Sequence, residues 1–106
     1  MIVKPGASID NCGPEILRAA IKAEHLFTAG LVITSGSEHY EHSANRSAHY
    51  RGDAIDTRSK NHPGNKHKLV FQIQNVLGAD YVVILEGEGE LWEHIHIHWS
   101  PIYHET

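Results

Sequence analysis

Two short segments carry most of the residues that could do chemistry. In the first, residues 47–56, His49 and Asp56 lie seven positions apart; the second, residues 93–98, holds three histidines and a glutamate. Zinc binds imidazole nitrogen and carboxylate oxygen, and a catalytic site uses three protein ligands so that water can hold the fourth position. His49, Asp56 and one histidine of the second segment supply that number. The pattern therefore indicates a metallohydrolase with Zn²⁺ as its cofactor.

The second segment alternates like a β-strand. Successive side chains of a strand point to opposite faces, so His94, His96 and His98 share one face while Ile95 and Ile97 share the other. Three imidazoles therefore project to one place, and the apolar side is free to cover a core.

The spacing in the first segment requires a bend. Along a regular strand His49 and Asp56 would lie on opposite faces, because side chains alternate with period two. Gly52 lies between them and tolerates a bend through positive φ or a bulge. We therefore expect a loop ligand, a turn and a strand ligand.

Three further residues are assigned to the substrate side of the site. Ser47 is expected to brace the loop by hydrogen bonding, as groups behind a ligand imidazole do. Arg46 and Arg51 flank His49, and either could hold a substrate carboxylate as a bidentate pair. The alternative for both arginines is a solvated side chain.

Composition excludes several classes of protein. With 106 residues and 41% hydrophobic content, the chain is expected to form one domain over residues 1–106 with a single modest core. No apolar run is long enough to cross a bilayer, and no signal peptide is recognised at the N-terminus. Nine lysines and arginines against 13 acidic residues, with no basic run, argue against a nucleic-acid partner.

Cysteine and histidine usage narrows the metal chemistry. Cys12 is the single cysteine, which excludes an internal disulfide and a structural zinc site of the Cys₄ or Cys₂His₂ kind. Ten histidines outnumber the nine lysines and arginines together, and metal binding explains that excess economically.

Periodicity predicts an α+β fold, a small antiparallel sheet with two packed helices. One helix is expected to begin at Pro14 and to end at Gly30, and the other to cover residues 65–77 before Gly78. The predicted strands are residues 31–34, 54–57, 81–85 and 93–99. The third is too apolar to face water on either side, which predicts a central strand. Residues 86–90 form an acidic, glycine-broken turn that joins the last two strands as a hairpin.

These segments resemble peptidase family M15, the D-alanyl-D-alanine carboxypeptidases, dipeptidases and phage endolysins that cut peptidoglycan peptides. The resemblance depends on an S-x-H-x-x-G-x-A-x-D pattern, which is formed here by Ser47, His49, Gly52, Ala54 and Asp56. The His-Ile-His sequence near the C-terminus is similar to the family's second zinc motif. The same stretches also resemble the hedgehog signalling domain, which shares the fold. The resemblance covers about residues 31–101 and implies a hedgehog/DD-peptidase-like fold.

The resemblance also implies roles for individual residues. The zinc ligands would be His49, Asp56 and His96, and Glu93, three positions before His96, would be the catalytic base. A hedgehog-like alignment makes His98 the third ligand instead. We favour His96 because it keeps Glu93 within reach. The arginine with which the family holds its substrate is replaced here, so Arg46 or Arg51 would have to take its place.

The implied substrate is a short peptidoglycan peptide with D-amino acids. Glu93 would move a proton from water to the leaving amine, and His94 or His98 would donate to the oxyanion. A small enzyme of this type without a signal peptide is expected to be a phage-encoded monomer with no membrane partner. It would be cytoplasmic until lysis, or virion-associated, and would act on the bacterial cell wall.

Two other classes of protein remain as alternatives. One is a zinc-stabilised binding module of hedgehog type without turnover, and the other is a histidine-rich metal-storage protein. A catalytic base separates the enzyme from the binding module. The ordered pair of His49 and Asp56 argues against metal storage, for which any histidine spacing would serve.

Overall fold

The computed structural model describes residues 1–40 and 47–101, which form a five-stranded sheet and two α-helices. The strands are β1 (Ile2–Val3), β2 (Val32–Ser35), β3 (Ala54–Arg58), β4 (Tyr81–Glu86) and β5 (His94–Trp99). The helices are α1 (Pro14–Ala23), which continues as a 3₁₀ turn (Glu24–Leu26), and α2 (Lys66–Leu77). The predicted α+β class is confirmed.

The sheet is mixed rather than purely antiparallel. Its strand order is β1-β2-β3-β5-β4, and every neighbouring pair is antiparallel except β1 and β2. In that parallel pair Ile2 lies opposite Val32. A two-residue strand leaves no periodicity in the sequence, so the antiparallel prediction is correct for four strands and wrong for the fifth.

One face of the sheet carries the hydrophobic core. Both helices contribute to the same buried cluster as the inward residues of β3 and β5, among which Ile55, Ile95 and Ile97 are fully buried. Full burial of an isoleucine side chain stabilises the fold by about 1.5–3 kcal/mol. The alternate residues of the same strands therefore lie on the opposite face, and that face carries the polar side chains.

The helices follow the sequence signals at three of their four ends. Pro14 begins α1 as predicted, and Asn65 caps α2 by accepting a hydrogen bond from the backbone N–H of Lys68 at 3.0 Å. Helix α1 ends well before Gly30, however, because the backbone becomes extended at Phe27, whose side chain is buried in the core. Neither helix in the described residues has the length and apolarity needed to cross a membrane.

Strand β4 lies at an edge of the described sheet, whereas the sequence predicted a central strand. Its two faces differ. Val83 is buried on the side of α2, but Ile84 on the other side is 41% exposed. The central position belongs to β5, which pairs with both β3 and β4. The apolar residues of β4 therefore serve partly as core and partly as the exposed wall of the polar face.

Candidate metal centre

Strand register arranges the polar face in three rows across β3, β5 and β4. The rows are Arg58, His94 and Glu86; Asp56, His96 and Ile84; and Ala54, His98 and Val82. Because register partners in a sheet lie directly opposite each other, these rows determine which functional groups meet. Asp56 and His96 fall in the middle row.

Three predicted metal-binding residues converge around that row. The ligand atoms of His49, Asp56 and His96 all lie within 4.8 Å of one another. Oδ1 of Asp56 is 2.9 Å from Nδ1 of His96 and 3.3 Å from Nε2 of His49. Two imidazole nitrogens and a carboxylate oxygen are a donor set that zinc accepts, and three protein ligands leave a position for water. The residues present therefore fit a metal ion.

Gly52 supplies the bend that brings His49 over the sheet. Its φ is +75°, in the left-handed region that favours glycine. A Cβ atom built there would lie 2.1 Å from the carbonyl oxygen of Asn11. The predicted bend is confirmed, and glycine is required at this position by both backbone conformation and space.

Each histidine of the triad is oriented by its other ring nitrogen. Nδ1 of His49 is 2.9 Å from the carbonyl oxygen of Gly36, which can only accept, so Nδ1 carries the hydrogen and Nε2 faces Asp56. Nε2 of His96 is 2.8 Å from Nδ1 of His98, and this contact turns Nδ1 of His96 towards Asp56. Such outer contacts are the usual way in which proteins fix the tautomer of a metal ligand.

His98 accordingly lies behind the triad rather than in it. Its row is one step along the strands from Asp56, and its contact is with His96. Burial lowers the pKa of His98, and neighbouring His96 and Arg51 lower it further, which favours the neutral ring. The geometry therefore favours the alignment with His96 as the third ligand over the one with His98.

Asp56 carries the negative charge of the group. Burial alone would raise the pKa of its carboxyl, but the contacts of Oδ1 with the ring nitrogens of His49 and His96 outweigh that effect and hold the pKa well below its usual range. The same pairing raises the pKa of His49 against the opposing effect of burial. Asp56 is thus ionised at neutral pH, the state that a carboxylate ligand needs.

A second pair, Glu86 and His94, lies beside the triad. Nε2 of His94 is 3.0 Å from Oε1 of Glu86 and 3.6 Å from Oδ1 of Asp56, while its Nδ1 is 2.9 Å from the carbonyl oxygen of Trp92. Every one of these partners is an acceptor, so the surroundings favour a ring protonated at both nitrogens. Burial lowers the pKa of His94, but these acceptors reverse the effect and raise it.

Glu93 does not join this group. Its Oε1 accepts hydrogen bonds from Nζ of Lys66 at 2.6 Å and Oγ of Ser59 at 2.7 Å, and its Oε2 accepts one from the N–H of Gly89 at 3.0 Å. These bonds, led by the one from Lys66, lower the pKa of Glu93 to about 2. The odd separation of Glu93 from His96 also places the two side chains on opposite faces. The role of Glu93 as base stays a prediction, and these contacts do not support it.

Glu86 is the residue that sequence reasoning missed. The prediction treated it as part of a solvated turn, yet it is the last residue of β4 and the register partner of His94. The signal was present in the alternation of Val82, Ile84 and Glu86, which puts the glutamate on the histidine face.

The structure describes backbone or side-chain contacts for two of the three predicted substrate residues, Arg51 and Ser47. Nε of Arg51 is 3.3 Å from Oδ2 of Asp53, an exposed contact. The carbonyl oxygen of Ser47 accepts from the N–H of Tyr50 at 3.1 Å and so begins the turn that leads to Gly52. Arg46 lies outside the described residues.

No protein-family model, curated protein or solved structure matches this chain significantly. The resemblance to M15 peptidases therefore depends on the two motifs of the sequence. The convergence of the triad is a separate observation, because it follows from strand register and the bend at Gly52.

Proposed function

We propose that this chain is a zinc-dependent peptidase that hydrolyses peptidoglycan peptides containing D-amino acids. The observation that carries the proposal is the triad of His49, Asp56 and His96. The ring nitrogen of each histidine that faces away from Asp56 contacts a second group, the carbonyl oxygen of Gly36 or the ring of His98. The substrate class comes from the sequence resemblance, and so does the cell wall as the place of action.

A zinc ion bound by the triad would supply Lewis-acid activation of water and of the scissile carbonyl. The ligand set supports zinc over magnesium or calcium, which prefer oxygen ligands. Only one of the three donors here is an oxygen, and the other two are imidazole nitrogens.

Glu86 and His94 are suited to opposite steps of proton transfer. Oε1 of Glu86 is 4.0 Å from Nδ1 of His96, so the carboxylate lies at the margin of the triad, where it can accept a proton from attacking water. His94 has acceptors at both nitrogens and can donate from Nε2 to a developing oxyanion or to the leaving amine. Glu86 therefore replaces Glu93 as the proposed base.

The test combines metal content, digestion and one pair of variants. Purified protein is assayed for zinc and incubated with peptidoglycan, and the released fragments are identified by mass spectrometry. Glu86→Gln should keep zinc and fold but lose activity by ~10²–10⁴-fold, the range for losing general acid–base catalysis. Glu93→Gln is the matched control, and its turnover per folded, zinc-loaded molecule should stay near that of the parent.

Two outcomes would overturn parts of this proposal. A protein that loads zinc and releases no fragment would support a binding module of hedgehog type instead of an enzyme. A Glu93→Gln variant that is folded and zinc-loaded but inactive would return the base to Glu93.

A further inference from the structure

A cleft of about 500 Å³ adjoins the proposed metal site. It is lined by residues from β2, β3, the start of β5 and the segments next to them, and His94 forms part of its wall. Arg58 also lines the cleft, and it is the register partner of His94. It follows Asp56 by two positions on β3 and therefore lies on the same face of the sheet. The cleft therefore opens at the row next to the triad, and its volume is in the range of small-ligand sites.

Cations concentrate in this cleft although the whole chain is acidic, with a formal net charge of −4. Lys4 follows β1, Arg58 ends β3 and Lys60 lies two residues after it, and all three line the cleft. None of the three belongs to an ion pair within residues 1–40 and 47–101. Uncompensated like charges around a concave surface raise the local concentration of anions.

Among the described residues that line the cleft, the single carboxylate does not neutralise these cations. It belongs to Glu93, whose two oxygens are already occupied by Lys66, Ser59 and the N–H of Gly89. A ligand carboxylate would therefore meet Arg58, Lys4 and Lys60 without competition from an acidic side chain of the lining.

Two exposed apolar residues, Leu91 and Trp92, form another part of the cleft wall. Trp92 is 62% exposed and Leu91 is 92% exposed, high values for large apolar side chains. The Trp92 ring packs against Gly87, where an added Cβ would lie 2.5 Å from a ring carbon, so the indole has a defined place. Exposed apolar groups beside fixed charges are typical of a site that binds an amphipathic ligand.

We propose that this cleft is an anion subsite that selects peptide substrates bearing a carboxylate close to the scissile bond, with Arg58 as the principal contact. This inference rests on the proposed peptidase function and specifies its substrate. Arg58 is preferred over the lysines because a guanidinium pairs with a carboxylate through two parallel hydrogen bonds. The carboxylate has two possible sources, the C-terminus of the peptide or an acidic side chain.

Three peptides of one skeleton separate these sources. They are acetyl-L-Ala-D-Gln-D-Ala with a free C-terminal carboxylate, acetyl-L-Ala-D-Glu-D-Ala amide, and the neutral acetyl-L-Ala-D-Gln-D-Ala amide. Binding to the zinc-loaded chain is measured by calorimetry, and hydrolysis is followed separately. One acidic peptide should bind roughly tenfold more tightly than the neutral one, as expected for a charge-assisted hydrogen bond. Tighter binding of the peptide with the free C-terminal carboxylate would indicate a carboxypeptidase. Tighter binding of the peptide with the glutamate side chain would indicate an endopeptidase.

The variants assign this preference to the cleft. Arg58→Gln should abolish the tighter binding of the acidic peptide but leave the affinity for the neutral peptide unchanged. The unchanged affinity also shows that the variant is folded. Lys60→Gln should reduce the preference less. Lys22→Gln, on α1 and away from the lining residues, is the control and should keep it. The preference should also shrink as salt is raised, because the cations are exposed to solvent.

Two results would overturn the subsite. All three peptides could bind alike, or Arg58→Gln could retain the full preference. Hydrolysis of all three peptides at similar rates would support the peptidase and exclude the subsite. Selective binding of an acidic peptide without any hydrolysis would support the subsite and count against the peptidase.

Discussion

Asp56 and His96 lie directly opposite each other on β3 and β5, with Oδ1 of the aspartate 2.9 Å from Nδ1 of the histidine. Two of the three proposed ligands are therefore positioned by the hydrogen-bond ladder of the sheet. Only His49 comes from a loop, and its ring is held by the carbonyl oxygen of Gly36. A site built mainly on strands should be formed before a metal ion arrives.

The first prediction concerns the ligands. His96→Ala should lower zinc content from one ion per chain towards none and should abolish the rise in melting temperature on adding zinc, because metal affinity is coupled to folding. The measurements are elemental analysis and thermal unfolding with and without zinc. His67→Ala is the control, since that ring is 66% exposed and pairs with Glu88 on the surface. Full zinc content in His96→Ala would remove His96 from the ligand set.

The second prediction separates a ligand from the residue that orients it. If His98 holds His96 through its Nδ1, His98→Ala should still bind one zinc but about 10–100-fold more weakly, as measured for other groups behind metal ligands. His98→Asn offers an acceptor in a similar place and should recover part of that affinity. Competition with a chelator gives both values. Complete loss of zinc in both variants would instead make His98 the third ligand.

The third prediction concerns the bend before β3. Gly52→Ala should destabilise the fold by roughly 3 kcal/mol or more, since a left-handed conformation costs a non-glycine residue about 1–2 kcal/mol and overlap with the Asn11 carbonyl adds to it. Chemical denaturation measures the change. Gly89→Ala is the matched control, because Gly89 also has positive φ, at +83°, but nothing lies within 4 Å of its added Cβ. Equal losses in the two variants would mean that the contact with Asn11 is unimportant.

Much of this site could be predicted because strand geometry is periodic. The alternation that put His94, His96 and His98 on one face is observed, and so is the bend at Gly52. The same alternation places Glu93 and His96 on opposite faces, because three positions separate them. The motif spacing that suggested Glu93 as base carries no information about the face on which it lies.

Other features depend on contacts that are distant in sequence. The pairing of Glu86 with His94 requires the register of the β4–β5 hairpin, which the glycine-rich turn leaves open in the sequence. The cleft gathers Lys4 and Arg58 only because β1 joins the sheet beside β2, and a two-residue strand has no recognisable pattern. The secondary-structure propensity of a segment carries no information about contacts between residues that are distant in sequence.

The last prediction assigns Glu93 a structural role that depends on pH. Its pKa is about 2 in the folded chain, against an ordinary value of 4.5, because Lys66 and two further donors stabilise the carboxylate. A carboxylate whose pKa is lower in the folded chain than in the unfolded chain stabilises the fold. This stabilisation is complete at pH values above the unfolded-state pKa and is lost as the pH falls towards the folded-state pKa. Glu93→Gln should therefore lower the free energy of unfolding at pH 7 by about 1.5–3 kcal/mol, the range for hydrogen bonds to a charged group.

That difference between parent and variant should shrink as pH is lowered from about 4.5 towards 2, when the parent carboxylate takes up its proton. Denaturant unfolding at a series of pH values measures it. Glu88→Gln is the control: Glu88 pairs with His67 on the surface with 58% of its side chain exposed, so its loss should change stability by less than about 1 kcal/mol. A difference for Glu93→Gln that stays constant with pH would show that the lost contribution is packing rather than charge.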